Sequence, residues 1–397
     1  MAFADSSVFG ELGDKAKANP IVLNSEKGFK AVTWTGSNNS VSLDFGNFTP
    51  DLLWIKNRYD SGGSGISHAL IDTVRGGDNR LASDTDGAQS TNAGLSTFNS
   101  DNTVTLMGGL SPVNDGGNDR TYVAWSWKAG GAPEAGFQTD DSMVDGEATT
   151  CSALTAKAGA TITPTSMSVG TETGFSIVKY TGNGYDFEDS PSGASVPHGF
   201  TNKTPDMIIV KSLTTTSGWS VLPAFYSSDG GQVLGLNTGT ELSSAGSAWA
   251  FNKQLPDNNV FYVGQNDGGS HTNNSDSAYI AYCWHSVPGF SAFGSFDSTS
   301  AGIFVYLGFK PALIIAKDTT SIGHWSAYDN ARQPFNTGSS NVLYPDLPNP
   351  AGSNSTVYNF EFLSNGFRSF GTGSSFNSGT HIYMAFAEQP FELANAR

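Results

Sequence analysis

The sequence predicts an all-β protein built as three tandem antiparallel β-sandwich modules of jelly-roll size. Three observations carry this: a composition of strands and small polar turns, an internal repeat, and side-chain alternation inside the repeated segments. Hydrophobic residues make up 38% of the 397, enough for packed cores. Charged residues are only 14%, against about 25% in an average domain. The 47 glycines, with abundant Ser, Thr and Asn, suit short strands joined by tight turns rather than helices.

The repeat has three signposts in fixed order. An opening strand reads GFKAVTWTG from Gly28, GFSIVKYTG from Gly174 and GFSAFGSF from Gly289. A central strand reads TPDLLWIK, TPDMIIVK and KPALIIAK, with Pro50, Pro205 and Pro311 at its head. A closing strand begins at Tyr122, Tyr279 and Tyr383 as YVAWSWK, YIAYCWH and YMAFAEQ. From Pro to closing Tyr the separations are 72, 74 and 72 residues. From opening Phe to Pro they are 21, 30 and 21, so the middle copy carries a nine-residue insertion, placed within 183–202. Loops accept such insertions because closure entropy grows slowly with length.

In the closing strand, Val123, Trp125 and Trp127 alternate with Tyr122, Ala124 and Ser126. In the third copy Met384 and Phe386 oppose Tyr383, Ala385 and Ala387. The central strand is almost continuously apolar, so both its faces are expected to be covered. A further strand is expected near Thr103–Met107, Val260–Val263 and Asn365–Phe370. About 95–105 residues with seven or eight strands is the size of one sandwich. The expected organisation is an N-terminal attachment arm or frayed terminus (1–27), repeat one (28–128), a linker (129–173) carrying one or two short strands in ATITPTSMSV, repeat two (174–288) and repeat three (289–397). Repeats two and three join almost without a spacer and are expected to be rigid. Repeat one is expected on a looser tether.

The formal net charge of −16 argues against nucleic acid and anionic membrane surfaces as partners. No apolar run reaches the ~18–20 residues of a spanning helix, so membrane insertion is not expected. The opening residues lack a basic segment followed by an apolar core, so no secretory leader is expected. Cys151 and Cys283 are too few for a disulfide framework, and a single bridge between them is left open.

No zinc or HExxH spacing is present, and the Gly-rich stretches do not join a strand to a helix. SDTDG at 83–87 begins like a calcium loop, but Leu95 stands where the ligating Glu is needed. No metal, cofactor or catalytic residue is therefore assigned. Two pairings remain as ligand-contact candidates. Asp72 and Arg75 in the first copy match Asp329 and Arg332 in the third, where the middle copy has Pro223 and Tyr226. They read as a polar ligand contact or as an ion pair holding a turn. Trp219 and Trp325 occupy equivalent positions, with His68 one place before that column. They read as sugar-stacking rings or as core residues.

The stretches FTPDLLWIKNR, IDTVRG, YVAWSWKAGG, TPDMIIVK, YIAYCWHSVPGF, GFKPALIIAKD, YDNARQPFN, NVLYP, FLSNGFR and YMAFAEQPF resemble repeated modules in tail fibres and other surface proteins of marine phages, including those of cyanobacteria. The likeness covers about residues 28–128 and 173–397. It implies a concanavalin-like or jelly-roll sandwich on a virion, made in the host cytoplasm, with no catalytic residues to carry over. The leading expectation is a tail-fibre or receptor-binding protein contacting host surface glycan or outer-membrane protein, and repeated weak sites would add avidity. Such proteins are commonly homotrimers assembled with other virion proteins. The alternatives are a structural capsid decoration or connector, and a capsule depolymerase.

Overall fold

The fold is described from a computed structural model. It covers residues 28–387 apart from 62, 64, 134–139, 186–193, 243–249, 266–271, 334–335, 337–340, 354–358 and 371–377. The expected arm at 1–27 and part of the middle-copy insertion lie outside the described residues.

Each copy builds the same four-stranded antiparallel sheet, in the order opening, closing, central, side. The opening strands are Phe29–Thr35, Phe175–Thr181 and Ser291–Asp297. The closing strands are Thr121–Trp127, Ala278–Trp284 and Thr380–Ala387. The central strands are Leu52–Tyr59, Met207–Ser212 and Pro311–Asp318. The side strands are Ala69–Asp72, Ser220–Pro223 and Ser326–Asp329. The Gly before the opening Phe has a structural reason in two copies. Gly174 and Gly289 sit at φ +64° and +74°, where a side chain is strained, and a Cβ on Gly174 would lie 2.7 Å from the His285 carbonyl oxygen.

A second sheet covers one face of each main sheet. In the first copy it is Val41–Asp44, Thr103–Leu106 and Ser96–Phe98. In the third it is Ile303–Tyr306, Gly366–Phe370 and Asn359–Leu363. In the second it is the pair Ser195–Pro197 and Val260–Tyr262. The protein is thus all-β and sandwich-built. No helix among the described residues is long and apolar enough to cross a membrane.

The continuous apolar character of the central strand has the expected cause. Leu53 and Ile55 face the first copy's own core, as do Ile208 and Val210 in the second and Ile314 and Ala316 in the third. The alternate residues Leu52 and Trp54, Met207 and Ile209, and Leu313 and Ile315 enter one further core shared by all three copies. The closing strand divides in the same way. Val123, Trp125 and Trp127 face the shared core, while Tyr122 and Ala124 face inward to the module. Rings from three copies meet there: Trp127 lies 6.2 Å from Trp284 and 5.4 Å from Phe386, centroid to centroid.

The short strand expected within the linker is Ser166–Gly170, and the segment joins the middle copy's sheet instead of tethering the first copy loosely. Strand Ser166–Gly170 pairs antiparallel with the middle copy's opening strand, Asp141–Val144 and Glu147–Thr150 extend the same sheet on that side, and Leu234–Gly235 beyond the side strand brings it to eight strands. Between Glu147–Thr150 and Ser166–Gly170 an eight-residue helix, Cys151–Ala158, is capped by the Thr150 hydroxyl, which accepts from the Ala153 N–H at 3.1 Å. Cys151 and Cys283 are both buried and free, so no bridge joins them.

Candidate functional site

Strand register defines which residues are equivalent. Leu52 pairs with Asp72, Met207 with Pro223 and Leu313 with Asp329. Counting back along the side strand places His68, Trp219 and Trp325 in one column. His68 therefore stands in the column itself, not one place before it.

All three column residues reach across a boundary between copies. The Trp219 indole N–H donates to the Ala82 and Thr85 carbonyls of the first copy, at 3.0 and 3.1 Å. Trp325 donates to the Gly235 carbonyl of the second, at 2.9 Å. His68 Nδ1 accepts from the Trp54 indole N–H, so its Nε2 carries the proton and donates to the Tyr344 carbonyl of the third copy, 2.9 Å away. Burial holds this imidazole neutral, with its pKa well below the usual value.

The backbone repeats this cycle. Ser217 N–H donates to Asp86 O, Gly323 N–H to Gly239 O and Ile66 N–H to Pro348 O, at 2.9, 2.8 and 2.9 Å. Gln89 N–H donates to Leu213 O, Leu242 N–H to Thr319 O and Ala351 N–H to Arg58 O, at 3.1, 3.1 and 2.9 Å. The donors and acceptors occupy equivalent positions at all three seams. Copy one docks on copy two, two on three, and three back on one. The chain is a closed ring of three sandwiches, with threefold pseudo-symmetry supplied by one polypeptide.

The Asp–x–x–Arg pairs lie inside these seams. Asp72 and Asp329 are fully buried, and Arg75 and Arg332 are 3% and 9% exposed. Each Arg Nε meets the carboxylate at 2.6 Å, and each Arg backbone N–H caps its other oxygen, at 2.8 and 2.9 Å. A ring from another copy completes each set. The Tyr282 hydroxyl donates to Asp72 at 2.8 Å, and the Trp125 indole N–H donates to Asp329 at 2.9 Å. By register the residue equivalent to Trp125 and Tyr282 is Met384, which has no donor. The middle copy, which lacks Asp and Arg, matches that loss. The pairs hold a turn and a seam, and the ligand-contact reading finds no exposed surface on Asp72, Arg75 or Asp329. Trp219 and Trp325 are 2% and 1% exposed, so neither ring has a free face for a sugar. Of the six candidates, Arg332 borders an open cavity.

Sequence reasoning passed over a lysine column at the end of the central strand: Lys56, Lys211 and Lys317. The signal was present, since all three central-strand motifs end in Lys. All three are buried. Each Nζ donates to the carbonyl of the following residue, at 2.9, 2.9 and 2.7 Å. Lys56 also donates across the closing seam to Pro348 O, at 2.9 Å. Desolvation lowers their pKa values to about 7, about 8 and about 8.

Two surface features were also missed. On the outer sheet of the third copy, Phe304 and Tyr306 point to solvent, 47% and 69% exposed. The matching outward positions of the first copy are Ser42 and Asp44. The alternation in IFVY carried this signal. At the seam closing the ring, a cavity of about 250 Å³ is lined by Arg58, Tyr59, Thr121, Arg332, Asn341 and Ala351.

The fold and seams define a class: a triplicated all-β ring whose copies are locked by side-chain and backbone hydrogen bonds. Residues 24–390 match the family described as Domain of unknown function (DUF7483), and the chain belongs to it. The match runs through all three copies, so it covers the whole ring rather than one sandwich. A search of curated proteins finds no match.

Proposed function

We propose that this chain is a bacteriophage virion surface protein, a tail-fibre or receptor-binding component that contacts the host cell surface. The observation that carries the reading is the outward pair Phe304 and Tyr306, two exposed aromatic rings side by side on one strand of the third copy's outer sheet. Solvent-facing aromatic rings at this exposure offer apolar faces to sugar C–H groups or to a protein partner. Arg368, lying 4.9 Å over the Phe370 ring on the same sheet, adds a cation to that side of the third copy. The sequence resemblance to phage surface modules supports the same assignment. The test is adsorption of the purified protein to host cells and to isolated lipopolysaccharide. Saturable binding is expected, and no binding at micromolar protein would overturn the reading.

The closed threefold grouping favours a second reading, a decoration or connector at a threefold position of the particle. That role predicts a high and fixed copy number per virion, which quantitative gel analysis of purified particles measures. The homotrimer expected from the resemblance becomes a trimer of rings. Sedimentation mass separates it from a single 41.7 kDa ring. A depolymerase would instead clear capsule around spotted protein.

A further inference from the structure

The three seams share one backbone pattern, so each serves as a control for the others. Two positions face each other across each seam. One is Arg58, Leu213 or Thr319 on the docking acceptor strand. The other is Arg75, Tyr226 or Arg332, three residues beyond the side strand. Between copies one and two, Arg75 faces Leu213, and its Nη1 is taken up by the Gln89 side chain at 3.3 Å. Between two and three, the hydroxyls of Tyr226 and Thr319 meet at 3.4 Å. Between three and one, Arg332 and Arg58 bring two guanidinium groups to one cavity.

That third arrangement is locally unfavourable. Arg332 is neutralised by Asp329, which leaves the cavity with the positive charge of Arg58. The Arg58 Nε is buried and has no hydrogen-bond partner. A buried donor of this kind costs free energy unless something accepts its proton. Burial and the Arg332 charge both act to lower the Arg58 pKa, as expected for a cation crowded by a like charge. The chain as a whole is strongly acidic, so a cationic hollow departs from its surroundings. The rest of the lining is polar, with Thr121 and Asn341, and Tyr59 stands 53% exposed at the same cavity.

We propose that the cavity between Arg58 and Arg332 binds an oxyanion, the carboxylate or phosphate group of an acidic surface saccharide. The Arg58 guanidinium matches both groups in geometry and charge, while the Arg332 guanidinium is already held by Asp329 and the Asn341 and Ala327 carbonyls. The Tyr59 ring provides a face for the attached sugar. The oxyanion assignment stands on the seam geometry, and only the sugar as its carrier rests on the receptor-binding reading.

The test titrates the full chain with glucuronate, with inorganic phosphate and with glucose, followed by calorimetry. Saturable binding of one glucuronate or one phosphate per chain is expected, with none for glucose. Glucuronate alone identifies a carboxylate site, phosphate alone a phosphate site, and both a general oxyanion site. R58L installs the middle copy's residue and R58T the third copy's, so both fit a seam of this design. Each should weaken anion binding by roughly tenfold or more through loss of a charge-assisted donor, while its melting temperature stays at or above that of the parent. The proposal is overturned if neither anion saturates, or if both variants bind as the parent does. Adsorption to host cells is scored separately, so its absence removes the receptor reading while the titration decides the anion site.

Discussion

Trp125 of the first copy donates its indole N–H to the Asp329 carboxylate of the third at 2.9 Å, across 204 residues of chain. Asp329 lies entirely out of solvent, so the bond ties the ring shut at a place water does not reach. Trp125→Phe removes the donor and also part of a fully buried ring. It should cost at least about 1–3 kcal/mol, the penalty for leaving a buried acceptor short of a partner, with the lost packing added to it. Urea midpoints of the two proteins measure it.

The equivalent set at Asp72 predicts a stronger asymmetry. Asp72→Ala leaves the Arg75 guanidinium buried without its carboxylate and should cost about 3–5 kcal/mol. The double variant Asp72→Ala, Arg75→Ala removes the stranded charge as well. Its cost should be well below the sum of the two single substitutions, which a double-mutant cycle in urea reads directly.

Stability should rise with pH from about 4 to about 9.5. His198 is held at about 4 by burial, and His68 and His285 are also lowered, so the unfolded chain takes up protons first as pH falls below 6.5. That stability is fully present above 6.5 and is lost as pH drops through the folded values. The lysine column acts in the same sense at higher pH. Between about 7 or 8 and the unfolded value of 10.5 the unfolded state binds the extra proton, so stability climbs with pH. A tenfold difference in proton affinity between the two states corresponds to about 1.4 kcal/mol. The buried Tyr180 and Tyr282, raised well above 10, reverse the trend beyond that pH. Urea midpoints across the range should follow this curve, and Lys211→Met should flatten its upper arm.

Exchanging the exposed aromatics for the first copy's residues, Phe304→Ser with Tyr306→Asp, should leave stability within about 0.5 kcal/mol, as for other surface changes. Adsorption to host cells should fall sharply. Unchanged adsorption would place the contact elsewhere on the ring.

Much of the fold was legible because strands advertise their faces. The run from Leu52 to Ile55 is apolar at every position, and only a strand covered on both sides needs that. In the segment at 129–173 the strand in ATITPTSMSV was legible, but its pairing with Phe175–Thr181 was not, because sequence alone does not name a strand's partner. His68 was misplaced because the loop before the side strand differs between copies, and only register counts back from Asp72. The lysines were overlooked because a charge ending an apolar run usually marks a strand emerging into solvent. Ring closure was nearly readable. Pro223 and Tyr226 replace Asp and Arg in the one copy whose seam partner would be Met384, but spacing alone does not say which copies touch. The Arg58 cavity was invisible, since Arg58 and Arg332 are 274 residues apart and meet only through that closure.

The stacking of Phe29 on Phe386, with centroids 5.2 Å apart, brings the first and last described strands side by side. Such a chain has no privileged starting point. Joining residue 387 to residue 28 with a short tether and opening the chain after the first sandwich should give a circular permutant that folds to the same architecture, since the two joined positions lie close together. Evolution by duplication would then have been free to shift where the gene begins without disturbing what the protein builds.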